Sequence, residues 1–298
     1  MIIPPGFEQH SVVTSLGRMV YYQPSESFWG SQVAAQPKLV FLHGFGGGSS
    51  AYEWSQVYPA FAADCFPIAP DLMGWGRSDH LERNYTIDDY LTTIREFLEQ
   101  TCEEPAMVVA SSLTAALTIR VAIANPQLFQ CLVLTTPAGL SDFGDDYGRS
   151  LFAQVVRVPL LDRALYTSAI ATEAGISSFL QGRQFAKSDR IYPEIVQAYL
   201  QSALQPKAEY AALSFVRGDL CFDLANYMPQ LTIPTAILWG KKSEFTGPEI
   251  GERLAALNPA SVKRFMALEN VGLTPQLEVP GLTIGLIRQL LKQLQSSP

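Results

Sequence analysis

The stretch Ala106-Met107-Val108-Val109-Ala110-Ser111-Ser112-Leu113-Thr114 decides how this chain is read. Its opening residues are small or apolar with no polar alternation, the pattern of a strand covered on both faces. A helical pattern follows over Ser112–Ala124, and Asn125-Pro126 stops it. A serine at such a junction can occupy a sharp, strained turn that pushes its hydroxyl into a site. The plainer alternative is an N-cap, which Ser111 or Ser112 could supply without any chemistry.

Working outward, short β-like runs alternate with helical stretches. Val12–Thr14 and Met19–Tyr22 read as a hairpin turned at Leu16-Gly17-Arg18. Lys38-Leu-Val-Phe-Leu-His is an unbroken apolar run that ends in the glycine-rich His43-Gly-Phe-Gly-Gly-Gly-Ser-Ser. Phe66–Asp71 and Gln130–Thr135 are further strands. Thr86 is an N-cap candidate, with Asp88 and Asp89 in the first turn where the helix dipole favours acids. This strand–helix–strand order predicts right-handed crossovers and a mostly parallel sheet. The rhythm breaks at Gly139 and resumes at Ile233, followed by a strand over Val262–Leu268 and a closing helix over Leu282–Leu294. The organisation expected is therefore an α/β core over residues 1–138 and 232–298, carrying a helical lid over 139–231.

The composition excludes several classes. Of 298 residues, 48% are hydrophobic and 16% charged, which is too apolar for a disordered chain. The net charge of -7, with no basic run, argues against a nucleic-acid partner. No apolar run reaches the roughly 18 residues that span a bilayer, and the N-terminus lacks the pattern of a signal peptide. Cys65, Cys102, Cys131 and Cys221 are widely spaced, which predicts free thiols and a cytoplasmic setting. With only three histidines, neither a metal site nor a cofactor is expected.

Taken in order, three segments resemble the α/β-hydrolase fold superfamily, in its lid-bearing branch of esterases, epoxide hydrolases and haloalkane dehalogenases. The resemblance covers roughly residues 8–295. The first segment, His43-Gly44-Phe45-Gly46-Gly47, is similar to the family's oxyanion loop, which implies that Phe45 donates a backbone N–H; His43 is expected to buttress the loop through a hydrogen bond, and Gly44 belongs with them to the oxyanion and ligand-binding set. The second, Ala110-Ser111-Ser112-Leu113-Thr114, resembles the G-x-S-x-G turn. It implies Ser112 as nucleophile and Leu113 as second oxyanion donor, facing a pocket under the lid. Ala110 and Thr114 replace the two glycines.

The third segment departs from the family. Where an aspartate usually follows the strand ending Leu238-Trp239-Gly240, Ser243 stands, with Glu244 one residue beyond. In Glu269-Asn-Val-Gly-Leu273-Thr-Pro-Gln, Leu273 occupies the place of the family's histidine, and no histidine follows His80. A Ser–His–acid mechanism needs that imidazole to take and return the serine proton. An ordinary carboxylate such as Glu244 is a poor substitute at a pKa of roughly 4.3. Lys241 and Lys242 would need to be desolvated to act as bases; a solvated surface pair is the simpler expectation. His80 reads as a surface residue.

Two readings follow. In the first, the chain is a non-catalytic or strongly impaired hydrolase homologue that binds a small apolar ligand or a partner, as plant gibberellin receptors do on a similar fold. In the second, it is an active serine hydrolase cleaving an ester or acyl bond with an unconventional base. Both imply a small apolar or ester-like ligand.

Overall fold

The computed structural model describes residues 3–144 and 161–296. Eight strands form one sheet in the spatial order β1-β2-β4-β3-β5-β6-β7-β8. They are β1 Phe7–Thr14, β2 Gly17–Pro24, β3 Lys38–Leu42, β4 Phe66–Pro70, β5 Ala106–Ser111, β6 Phe129–Thr135, β7 Thr235–Gly240 and β8 Val262–Leu268. From β4 onward along the sheet every pairing is parallel, while β1 and β2 add an antiparallel hairpin at one edge. The hairpin turns one residue earlier than its glycine suggested. Thr14 pairs with Gly17 and its hydroxyl donates to the Gly17 carbonyl at 2.8 Å, so Gly17 opens β2.

The apolar runs explain the layering. All six residues of β5 are buried, as is β3 apart from Lys38, because helices cover both faces of the sheet. Helices α1 Ile87–Thr101 and α2 Ser112–Ala124 follow β4 and β5. Thr86 and Asp89 form the reciprocal cap of α1: the Asp89 carboxylate accepts the Thr86 N–H at 2.9 Å and the Thr86 hydroxyl accepts the Asp89 N–H at 3.3 Å. Ten of the 13 residues of α2 are buried, which suits a helix enclosed on all sides at the centre of the molecule.

The break in the rhythm is a helical insertion. Its described helices are α3 Leu161–Leu165, α4 Glu173–Phe179, α5 Pro193–Ala203 and α6 Ala208–Val216. They lie over the loops that leave the C-terminal ends of β3 and β4. The Ser202 hydroxyl in α5 donates to the Ser49 carbonyl and accepts the Gly76 N–H, both at 3.1 Å. Ser214 in α6 accepts the Tyr85 N–H at 2.9 Å. After β7, α7 Pro248–Ala256 precedes β8, and α8 Pro275–Glu278 and α9 Pro280–Ser296 close the chain. No helix among the described residues is long and apolar enough to cross a membrane.

Candidate active site

Ser112 is the point where β5 turns into α2, and it carries the signature of a forced turn. Its φ is 55°, in the left-handed region that side-chain-bearing residues avoid, whereas Ser111 before it is extended at φ −118°. An ordinary N-cap needs no such angle. Ser112 is 7% exposed, and the α2 backbone starts at the serine itself, so the positive end of the helix faces its hydroxyl. Thr114 is accommodated wholly within the core.

The loop after β3 passes directly over this turn. A Cβ placed on Gly44 would sit 3.4 Å from Ser112 Cβ, 3.5 Å from Glu53 Oε2 and 3.7 Å from Ser111 Oγ. His43 fastens the loop from below. Its Nε2 accepts the Leu72 N–H at 3.0 Å, so the ring proton is on Nδ1, which donates to the Gly44 carbonyl at 2.7 Å. Complete burial pushes its pKa down to about 4. The imidazole is thus neutral with both nitrogens engaged, and it holds the loop rather than a substrate proton. The Phe45 ring turns into the core and stacks on Trp75, with centroids 5.2 Å apart.

The lid closes on the same loop. A Cβ on Gly46 would meet the Phe179 ring at 2.9 Å, and one on Gly48 would lie 2.1 Å from the Tyr199 carbonyl, a space only glycine leaves. Tyr199 reaches inward from α5. Its hydroxyl lies 3.0 Å from both Glu53 Oε1 and Gln184 Oε1, so it can donate to either. Glu53 Oε2 accepts the Gly44 N–H at 2.9 Å. Burial raises the Glu53 pKa, against the hydrogen bonds that favour its ionised form. Gln276, at the start of α8, donates to Ser111 Oγ at 3.3 Å. Glu53, Tyr199, Gln184 and Gln276 thus form a buried polar chain beside Ser112 that the sequence pattern does not reveal. Its one local signal is a charge set between Tyr52 and Trp54. Nothing in residue spacing joins Glu53 to a tyrosine 146 positions later.

The segments after β7 and β8 that carry Ser243 and Leu273 lie on neighbouring loops, joined by the Lys242 N–H donating to the Val271 carbonyl at 2.9 Å. Leu273 is 3% exposed, and its N–H donates to the Gln184 carbonyl of the lid at 2.8 Å. Glu278 braces that loop by accepting the Gly272 and Ala186 N–H groups and pairing with Arg190 at 3.0 Å. Ser243 follows β7. Its N–H donates to the Gly240 carbonyl at 3.1 Å, and its hydroxyl is buried with no partner among the described residues. Glu244 is exposed. Lys241 is exposed and paired with Glu269, which raises its pKa, and Lys242 is exposed as well. Neither lysine is the desolvated amine that a base requires.

The other two histidines point elsewhere. His10 lies on the outer hairpin beside Glu8 at 2.9 Å. His80 is half-buried rather than a surface residue: its Nε2 lies 3.2 Å from the Gly76 carbonyl, and desolvation lowers its pKa.

Beneath the lid lies a cavity of about 620 Å³. Apolar side chains dominate its walls, chiefly Ile170, Ile176, Phe179, Phe215 and Phe245, with Arg183 and Glu244 as its charged groups. Gly47 brings the oxyanion-type loop to its edge, while Ser112 is not among its described lining. Among the described residues no group of His, Cys, Asp and Glu side chains could hold a metal ion.

The model of the alpha/beta hydrolase family matches residues 39–284, which take in every element of the site. The chain belongs to that family. Among curated relatives of this hydrolase-family chain, an uncharacterized protein of Mycobacterium tuberculosis is 25% identical over 213 residues, covering 69% of the chain but only 61% of the mycobacterial protein. Epoxide hydrolase 4 of Mus musculus is 22% identical over 276 residues, covering 87% of this chain and 74% of its own. Among solved structures, a serine hydrolase involved in carbazole degradation, the CarC enzyme, superposes with a TM-score of 0.76 over 96% of this chain and 99% of that one. Its 18% sequence identity speaks to the fold alone.

Proposed function

We propose that the protein is a hydrolase-fold binding protein that takes a small, largely apolar ligand beneath a lid, expected over 139–231 with residues 145–160 outside the described ones, and cleaves ester bonds slowly or not at all. In this reading Ser112 holds the nucleophile's place, Leu273 and Ser243 stand where base and acid would be, and the triad is degenerate. One observation carries it: each of the chain's three imidazoles is committed away from Ser112, at Leu72 and Gly44, at Gly76, and at Glu8. Losing a triad member costs about 10⁴ to 10⁶ in turnover, while an oxyanion hole and binding alone retain roughly 10³ over water. The cavity volume suits a small-molecule site, which typically measures roughly 300–1,000 Å³.

A second reading has an observation of its own. The left-handed backbone at Ser112 is strain of the kind found at functional turns, and an active serine hydrolase with an unconventional base would retain it. A fluorophosphonate probe separates the two. The binding reading expects wild type and Ser112→Ala to remain equally unlabelled under conditions that label an ordinary serine hydrolase within minutes. Rapid labelling that disappears in Ser112→Ala would establish the active hydrolase.

A further inference from the structure

Glu53 is 1% exposed, and no cationic side chain reaches it among the described residues. Its carboxylate is fixed to the loop over Ser112 through the Gly44 N–H and to the lid through Tyr199. Because Glu53 Oε2 and Ser112 Cβ flank one point at 3.5 and 3.4 Å, they lie within about 7 Å of each other in a poorly screened interior. An oxyanion site works by surrounding negative charge with fixed donors. Here an ionised Glu53 would set a negative charge behind the loop over Ser112, through the Gly44 N–H.

An anion hydrogen-bonded to Ser112 would lie within about 11 Å of that carboxylate, where two like unit charges at an effective dielectric of about 20 disfavour binding roughly 10-fold. The N-terminus of α2 acts in the opposite sense with about half a unit charge, so part of that penalty remains. We propose that Glu53 sets the ligand class of the Ser112 site: a neutral hydrogen-bonding head such as an amide, alcohol or carbonyl, on an apolar body under the lid, with carboxylates and other anions rejected. This rests on the reading that the site binds rather than hydrolyses.

The titratable groups around Glu53 are few. Tyr199 faces it from α5, and burial keeps that phenol protonated. His43 lies on the same loop and stays neutral down to about pH 4. Asp71 accepts the N–H of Ala51, two residues before Glu53, at 2.8 Å, with its pKa pushed up to about 6 by burial. Gln184 and Gln276 carry no charge. As pH falls and Glu53 takes up a proton, the penalty on an anion fades; Asp71 titrates as well and sets the remaining pH response when Glu53 is replaced.

Hexane-1-sulfonate and hexane-1-sulfonamide test this, because they differ in charge and keep that difference between pH 5 and 8. Titration calorimetry on the full chain should give a severalfold sulfonamide preference at pH 8 that shrinks as pH falls and Glu53 is protonated. In Glu53→Gln the preference at pH 8 should fall to near unity. Tyr199→Phe removes a hydrogen bond to the ionised carboxylate, so it should shift the midpoint of the pH change upward; it serves if Glu53→Gln does not fold. Equal affinities of wild type at pH 8, a preference untouched by Glu53→Gln or, in its place, a midpoint unmoved by Tyr199→Phe, or no binding of either probe would overturn the proposal. Covalent labelling of Ser112 would overturn the binding reading instead, independently of the affinity ratio.

Discussion

Replacing His43 by leucine isolates the group that fastens the loop over Ser112. The variant leaves the Leu72 N–H and the Gly44 carbonyl without their partner at a fully buried site. An unsatisfied buried polar group costs about 1–3 kcal/mol, so two predict a loss of about 2–6 kcal/mol at pH 7. The pH dependence supplies a second, sharper readout. Burial takes the imidazole from 6.5 to about 4, so between those values the unfolded chain binds a proton that the folded one refuses. Stability therefore falls as pH drops through that window, by roughly 3 kcal/mol from this group at full span. Asp71 and Asp142 work in the opposite direction. Burial raises each from 3.8 to about 6, so the folded state holds their protons longer and gains stability as pH falls through that range. The wild-type curve is thus a difference of opposing contributions, and subtracting His43→Leu leaves the imidazole's share. Urea denaturation from pH 7 to pH 4.5 should show the gap between the two proteins narrowing by about 2–3 kcal/mol. Parallel curves would refute the neutral, doubly engaged imidazole, and a variant as stable as wild type at pH 7 would refute its fastening role.

Other outcomes follow from neighbouring contacts. Leu273→His with Ser243→Asp should raise p-nitrophenyl ester turnover above wild type by at least about 10-fold, with the gain lost on adding Ser112→Ala; a double variant whose gain survives Ser112→Ala would place the chemistry elsewhere. Gly48→Ala puts a Cβ 2.1 Å from the Tyr199 carbonyl at a φ of 93°, so it should destabilise the protein by about 2 kcal/mol or more and expose the lid to limited proteolysis; an unchanged melting temperature would contradict that packing. Arg190→Ala leaves Glu278 with its backbone donors alone, so burial raises that carboxyl further above its ordinary value. The variant should lose about 1–3 kcal/mol at pH 7 and recover part of it toward pH 5 as the carboxyl takes up a proton; a loss equal at both values in urea denaturation would contradict the pairing.

Much of the core was legible because its signals are local. The unbroken apolar runs of β3 and β5 mark strands covered on both sides, Thr86 caps α1 as expected, with Asp89 adding a reciprocal bond, and Ser112 follows β5 without an intervening residue. The helical insertion could be read from the broken strand–helix rhythm, but what its helices α5 and α6 touch could not. Tyr199 meets Glu53, and Gln184 meets the Leu273 loop, across contacts that only tertiary folding creates. Glu53 escapes sequence reasoning because a single acidic residue in a short turn reads as solvated until burial is known. His80 departs from its expected surface position for a related reason: its polar sequence neighbours suggest solvent, whereas folding brings Gly76 against its ring and leaves it half-buried.

The central claim is that Ser112 sits in a formed turn without a working base. Steady-state hydrolysis of p-nitrophenyl acetate and butyrate by wild type and Ser112→Ala tests it most directly. Turnover should stay below about 10⁻² s⁻¹, a factor of about 10³ or more under a median enzyme, with little change on removing the hydroxyl. Turnover near 10 s⁻¹, abolished in Ser112→Ala, would contradict it.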